Sequence, residues 1–132
     1  MKISRYREPS GLILTHFGKR HTYDDAIGAL TEITEMTEGS SEIYEIIIHD
    51  DDFSIDVSED SLKSLPGKVQ STFGTYARGA LAFVANIDLV FGLCRQLEML
   101  MENAAIQVAV FRSEALARSW IAEIQSLHGQ PK

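Results

Sequence analysis

An unbroken apolar run, ALAFVA, occupies residues 80–85 between Gly79 and Asn86. A strand with one solvent-facing side alternates apolar and polar residues, so a continuous run is typical of a strand covered on both faces. A long helical pattern follows it, and a second β-rich run, IQVAVF, occupies residues 106–111. Two buried strands separated by a helix need a crossover connection, which indicates an α/β domain with a parallel sheet.

Two helices flank the second of these strands, and both are predicted from caps and apolar spacing. Asn86 or Asp88 caps the first helix, which is expected to run to about residue 104. Ser113 caps the second, in which Glu114 and Arg118 form an outward pair. The inward stripe of the first helix is predicted to be Leu89, Leu93, Leu97, Leu100 and Ala104. The inward face of the second is predicted to be Ala117, Trp120, Ile121, Ile124 and Leu127.

The start of the chain reads as a hairpin followed by a helix. Alternating residues 3–7 and mainly apolar residues 12–17 are joined by a turn at residues 8–11 that contains proline and glycine, which predicts a β-hairpin. Thr22 then caps an amphipathic helix with two aspartates in its first turn. This helix is expected to end at Gly39.

The middle of the chain combines another buried strand with a less regular segment. Residues 43–48 include three consecutive isoleucines and predict a strand covered on both faces. Residues 53–57 alternate and predict a short edge strand that returns against it. Ser58 caps a short helix that the Pro-Gly pair at residues 66–67 is expected to close. Residues 68–79 fit either a further helical turn or an ordered loop.

Together these elements predict a fold class. It is an α/β fold with a mixed, mostly parallel sheet of four to five strands, an N-terminal β-hairpin and helices packed on its faces. The length of 132 residues suits one domain, 1–132.

Composition excludes several kinds of partner and site. The chain has 12 lysines and arginines against 19 aspartates and glutamates, a net charge of −7, so no nucleic-acid partner is expected. Cys94 is the single cysteine, which excludes an intrachain disulfide and a zinc cluster of thiolates. The sequence shows neither a signal-peptide core nor an apolar run of membrane-spanning length, and we expect a cytoplasmic protein.

The acidic and histidine residues are candidates for metal or catalytic groups. The aspartates of residues 50–56 approach the spacing of a calcium loop, but Ile55 stands where the turn needs glycine and Ser61 where a glutamate ligand is needed. We therefore expect a solvated turn, with no metal and no cofactor. His16 and His49 both lie at predicted strand ends, where they either approach each other or simply cap the core.

The helix after residue 86 is apolar around more than one face. Core packing, a homodimer surface and an apolar ligand pocket all remain open as explanations. Cys94 is interpreted as a buried structural thiol, and no nucleophile–base pair is evident, so we expect no enzymatic activity. The candidate residues for the apolar pocket or the dimer surface are Val90, Phe91, Cys94, Leu97 and Met101.

Several segments of the second half together form a familiar pattern. They are residues 80–84 (ALAFV), residues 90–93 (VFGL), Arg95, residues 108–113 (VAVFRS), Ala117, Trp120 and Ile121. This pattern resembles the SpoIIAA-like family, which consists of small bacterial domains related in fold to the STAS (anti-sigma-factor antagonist) domains and to Sec14-type lipid-binding domains.

The resemblance implies a SpoIIAA/STAS-like fold more than an activity, because the family is largely uncharacterised. A STAS antagonist carries a phosphorylatable serine in an Asp-Ser-Ser-Gly-like turn, at the start of the helix that follows its third strand. Here Ser58 and Ser61 lie in the corresponding region, and the turn has no glycine. We expect a non-enzymatic regulatory or protein-interaction module that forms a homodimer. The alternative is a Sec14-like domain that binds a small apolar ligand or lipid.

Overall fold

The computed structural model describes residues 3–56 and 58–128 of the chain. The elements, in chain order, are β1 (Ile3–Arg7), β2 (Ile13–Phe17), β3 (Arg20–Thr22), α1 (Tyr23–Met36), β4 (Glu42–His49), β5 (Ser54–Asp56), α2 (Glu59–Phe73), β6 (Arg78–Ala85), α3 (Asp88–Leu100), β7 (Gln107–Phe111) and α4 (Glu114–His128). None of these helices is long and apolar enough to span a membrane.

The main sheet has five strands in the order β1-β2-β4-β6-β7. β1 runs antiparallel to β2, and every other neighbouring pair is parallel. The predicted fold class is confirmed: a mixed, mostly parallel sheet with an N-terminal hairpin and helices on its faces. The two apolar runs of the second half, β6 and β7, are adjacent parallel strands in this sheet.

Three helices cover one face of the sheet and one covers the other. Side chains of successive strand residues point to opposite faces, so Ile43 and Ile47 of β4 pack with α1, α2 and α3, whereas Ile46 and Ile48 pack with α4. The two apolar clusters explain why β4 and β6 carry nearly continuous apolar sequence: both faces of these strands are buried.

The short strand β5 pairs differently from the prediction. Instead of returning against β4, it pairs in parallel with β3 and forms a separate two-stranded sheet. The amide of Ser54 donates to the Lys19 carbonyl at 3.0 Å, which draws the chain towards β3 after the acidic turn. The last residue of the predicted strand, residue 57, lies outside the described residues.

The predicted end of α2 at residues 66–67 is wrong, because the helix continues through Pro66 to Phe73. Proline in a helix interior removes one backbone hydrogen bond and costs about 3 kcal/mol. Val69 and Phe73 lie beyond the proline and are both buried in the core against the sheet. Their burial offsets the cost of the proline, each contributing roughly 1.5–3 kcal/mol.

The inward face of α3 also differs from the prediction. Leu89, expected inside, is 73% exposed, and Leu100 is exposed as well. The buried residues of this helix are Val90 and Cys94, followed by Met101 at its C-cap. The fully buried stripe is thus displaced by one residue, or about 100° around the helix, while Leu97 and Ala104 of the predicted stripe do pack against this core. Neither Asn86 nor Asp88 caps α3, because its N-cap is Ile87, without a side-chain hydrogen bond.

The other predicted caps are confirmed. Thr22 and Asp25 form a capping box at the start of α1, and the Ser113 hydroxyl accepts the Leu116 amide at 3.2 Å in α4. The predicted Glu114–Arg118 pair is present at 2.7 Å. On the inner face of α4 the prediction is wrong for one residue: Leu127 is 62% exposed.

Candidate functional site

A cavity of about 130 Å³ lies on the three-helix face of the sheet, next to the carboxyl ends of β2 and β4. We call it the α1–α2 cavity. Ligands of open α/β sheets bind at this edge, outside the carboxyl ends of the strands. The cavity is lined by Ala26, Ala29, Leu30 and Ile33 of α1, Leu65, Val69 and Phe73 of α2, Leu97 of α3, Arg5, Phe17, Ile47 and Phe83 of the main sheet, and His21, His49, Phe53 and Ile55.

Three aromatic rings close the strand-end side of the cavity. Phe17 and His49 are the last residues of β2 and β4 and are register partners, so they point to the same face. Their ring centroids are 5.6 Å apart with planes inclined by 15°, which is a stacked arrangement. Phe53, from the turn before β5, meets the His49 ring edge-on at 4.9 Å.

His49 is held as a neutral ring. Its Nδ1 lies 3.3 Å from the Val84 carbonyl, and since a carbonyl oxygen only accepts, Nδ1 carries the proton and Nε2 is left unprotonated. Burial lowers the pKa of His49 to about 4, so the ring carries no charge at neutral pH.

His21 reaches the same wall from the short strand β3. Its Nε2 donates to the Gly18 carbonyl at 2.9 Å, and the side chain is 1% exposed. In the neutral ring Nδ1 is therefore a lone-pair acceptor, and it has no hydrogen-bond partner among the described residues. The His21 ring also packs at 5.3 Å from Phe17 and from Phe53.

A buried polar cluster lies beneath one end of the cavity. The Arg5 side chain crosses from β1 and donates from Nε to the Thr15 hydroxyl at 2.9 Å and from Nη2 to the Glu45 carboxylate at 3.3 Å. The Thr15 hydroxyl donates in turn to Glu45 at 2.6 Å. Burial raises the pKa of the Glu45 carboxyl, while the Arg5 charge and these hydrogen bonds act in the opposite direction. Arg5 also donates to the Ala29 carbonyl at 3.1 Å, which ties α1 to the sheet.

Of the two alternatives for His16 and His49, the approach of one ring to the other does not occur. His16 precedes Phe17 in β2 and so points to the opposite face of the sheet, where its Nδ1 lies 3.4 Å from Asp50 at an exposed surface. It is His21 that joins His49 at the cavity.

The acidic turn has partners of its own: the Lys19 amide donates to Asp52 at 3.0 Å, and Arg20 pairs with Asp56.

The residues proposed from the sequence as a pocket or dimer surface fall in different places. Val90, Cys94 and Met101 are buried in the core of the same chain, and burial raises the pKa of the Cys94 thiol to about 12. Phe91 is partly buried under the Arg112 guanidinium, 4.0 Å from the ring centroid. Leu97 is the one residue of this set that lines the α1–α2 cavity.

The serines proposed as phospho-acceptors lie at the start of α2. Ser58 is the exposed N-cap, and its hydroxyl accepts the Ser61 amide at 3.1 Å. The same hydroxyl donates to the Ser61 hydroxyl at 2.9 Å. Ser58 therefore performs the capping role predicted for it, on the helix that follows the strands β4 and β5.

Sequence reasoning missed His21, Phe53, Arg5 and Glu45. The buried position of Glu45 could have been predicted, since it is a carboxylate in a strand whose inward neighbours are isoleucines. Arg5 lies on the same side of β1 as Ile3 and Arg7, and this second arginine makes the side look polar in the sequence, which hides the buried role of Arg5. No local pattern brings His21 and Phe53 together, because their proximity depends on the pairing of β3 with β5.

No family model and no curated protein matches the sequence. Comparison with solved structures finds an uncharacterized protein of Shewanella loihica PV-4, described as a member of the DUF3478 family with a SpoIIAA-like fold. The two chains are 15% identical, and the match covers 90% of this chain and 91% of that chain with a TM-score of 0.58. This chain has a SpoIIAA-like fold. At 15% identity the likeness shows the SpoIIAA-like fold alone, in agreement with the resemblance seen in the sequence.

Proposed function

We propose that this chain is a non-enzymatic binding domain that takes one compact apolar molecule, about the size of a single six-membered ring, into the α1–α2 cavity. The observation that carries the proposal is the cavity itself, a space of about 130 Å³ with largely apolar walls. An engineered cavity of about 150 Å³ with similar walls binds benzene.

The cavity volume also narrows the class of ligand. Sites for drug-sized molecules usually span roughly 300–1,000 Å³, and this cavity is smaller. Of the apolar ligands that a Sec14-like domain suggests, it suits a single ring better than a lipid with a long acyl chain.

The side chains around the cavity favour ligand binding over catalysis. The residues that line it include no serine, threonine, cysteine or lysine. The protonated nitrogens of His21 and His49 are each engaged with a backbone carbonyl. A nucleophile with an adjacent base, which acyl and phosphoryl transfer need, is therefore absent from the described wall of the cavity.

Toluene is the probe that tests this proposal. We expect saturable binding with a Kd on the order of 1 mM, which corresponds to about 0.6 kcal/mol for each of its seven heavy atoms. The measurement is a titration followed by ¹H–¹⁵N NMR spectra, in which amides of α1 and α2 should shift.

A matched pair of variants locates the toluene site. Ala26→Phe places a ring in the cavity and should abolish binding, whereas Ala115→Phe adds the same ring to an exposed position of α4 and should leave binding unchanged. Circular dichroism confirms that both variants fold. If wild-type amides do not shift up to the solubility limit of toluene, the proposal fails.

Regulation through a serine is a second candidate, supported by the position of Ser58. Its hydroxyl is exposed at the start of α2, where the resemblance to STAS domains puts a switch serine. A phosphate there meets the favourable end of the helix dipole but also the adjacent Glu59 and Asp60 carboxylates. The homodimer and the cytoplasmic location expected from the sequence remain predictions, as does the bacterial origin that the family resemblance implies.

Intact-mass spectra of protein purified from its native host test the serine candidate. We expect a species heavier by one phosphoryl group that is lost in Ser58→Ala or in Ser61→Ala. Ser119→Ala, at an exposed position on α4, is the control and should retain the modification. Unmodified protein under every growth condition would exclude this candidate.

A further inference from the structure

His21 has an unused acceptor at the wall of the α1–α2 cavity. Its Nε2 is engaged with Gly18, its Nδ1 has no partner among the described residues, and the side chain is 1% exposed. A buried polar atom without a hydrogen bond is destabilising, because it has lost its contact with water and gained no partner in exchange. His21 lines the cavity, but this atom has almost no accessible surface in this structure. A ligand donor therefore reaches it only when the Phe17 or Phe53 ring, both packed against His21, shifts.

The neighbours of His21 cannot supply the missing donor. Phe17 and Phe53 pack against its ring and have no polar hydrogen. The Nδ1 proton of His49 is directed at the Val84 carbonyl, so this second imidazole also offers the cavity only an acceptor, Nε2. The histidine side of the cavity therefore presents acceptors and no free donor.

Arg5 also lines the cavity, but it adds no free hydrogen-bond donor to it. All three nitrogens of its guanidinium have oxygen partners: Nε binds Thr15, one terminal nitrogen binds the Ala29 carbonyl and the other binds Glu45. An anionic ligand would meet two histidine acceptors and an arginine that is already neutralised. A cationic ligand would have to lose its hydration among phenylalanines.

We propose that the α1–α2 cavity selects a neutral single-ring molecule with one O–H or N–H donor, a ligand of the phenol class, and that this donor bonds to His21 Nδ1. The inference deepens the proposed function and rests on it. Four phenylalanines among the lining residues favour an aromatic ring over an alkyl chain, since edge and stacked contacts between rings add to burial.

Phenol and toluene are the probes, because they have the same number of heavy atoms and differ in one donor group. We expect wild-type protein to bind phenol about three- to tenfold more tightly than toluene, the fold-change of one net hydrogen bond. In His21→Phe the preference should disappear or reverse. His16→Phe is the matched control, because His16 lies near the same strand end on the opposite face, and it should keep the wild-type ratio.

A second measurement on the wild-type protein avoids dependence on the His21 variant. In ¹⁵N-labelled protein, phenol should move the resonance of His21 Nδ1 away from its unprotonated position, and toluene should not.

The outcomes separate this inference from the proposed function. If toluene binds and phenol is not preferred, the inference fails and the proposed function stands. Failure of both probes overturns both. A phenol preference that survives in His21→Phe, or a His21 Nδ1 resonance that phenol leaves unmoved, overturns the assignment to His21.

Discussion

Gly79→Ala is expected to destabilise the protein by more than about 4 kcal/mol, or to prevent folding, which places it among the exceptional single substitutions. Gly79 has φ +150°, a conformation that side chains rarely adopt. A Cβ built there would lie 2.9 Å from the backbone nitrogen and carbonyl carbon of Ile43, and closer still to its carbonyl oxygen. Because Ile43 is the register partner of Gly79, the clash falls between the central strand β4 and its neighbour β6.

The neighbouring backbone cannot move aside cheaply. Ile43 is buried and begins the apolar part of β4, and any displacement there propagates along a parallel pair that runs to His49 and Ala85. The substitution should thus disturb the strand end that carries the cavity wall as well as the sheet.

Gly92→Ala is the matched control for this substitution. Gly92 lies on the exposed side of α3, where a Cβ would meet only open space, and alanine there should stabilise the protein by about 0.5–1 kcal/mol. Urea unfolding followed by circular dichroism measures both. If Gly79→Ala shifts the free energy of unfolding by less than about 1 kcal/mol, the close approach of Gly79 to Ile43 is wrong.

The features that sequence predicts best are those that depend on short-range chemistry. The continuous apolar runs of β4 and β6 indicate strands covered on both faces, and Thr22 and Ser113 cap helices as expected. The family resemblance points to the same fold. These predictions succeed because burial and local hydrogen bonding favour the same structure.

The errors share a different physical cause. Pro66 is a local signal for a helix end, but burial of residues far apart in the chain outweighs its cost. On α3, leucines at helical spacing offer a stripe as regular as the true one, and only contact with the sheet selects Val90 over Leu89. Tertiary packing therefore decides both where α2 ends and which face of α3 is buried.

The candidate site is the least predictable part of the molecule. Leu97 is among the pocket residues predicted from the sequence. The part of the cavity wall formed by His21 and His49 is not predictable in this way, because it requires β3 to pair with β5 and the turn after β4 to fold back over Phe17. Neither event leaves a periodic pattern in the sequence. The polar cluster at Glu45 is hidden for another reason, since its partners are contributed by two other strands, β1 and β2.

Arg5→Met is expected to cost about 3–5 kcal/mol at neutral pH, because it leaves the Glu45 carboxylate buried without its cation. The Arg5 side chain is 4% exposed and that of Glu45 is fully buried. A methionine at this position keeps the volume of the aliphatic stem and removes the charge, so the cost reports electrostatics more than packing.

The pH dependence of this variant identifies the group responsible. Without Arg5, burial acts unopposed by that charge and holds the folded-state pKa of Glu45 still further above its ordinary value. For an acid with a raised folded pKa, the folded state binds more protons than the unfolded state above the unfolded pKa, so stability falls as pH rises through this window. Arg5→Met should therefore lose least stability in acid, below the ordinary range of a glutamate.

Two further variants complete the test. The double variant Arg5→Met with Glu45→Leu removes both charges and should recover most of the loss, because replacing a buried ion pair by apolar residues is often neutral. Arg118→Met is the control: Arg118 makes shorter contacts, 2.7 Å to both Glu8 and Glu114, but its side chain is 37% exposed, and its removal should cost less than about 1 kcal/mol. Equal losses for Arg5→Met and Arg118→Met in urea unfolding would mean that water reaches the Arg5–Glu45 pair. The difference between the losses in the two variants shows whether burial or contact distance determines how much an ion pair contributes to the free energy of unfolding.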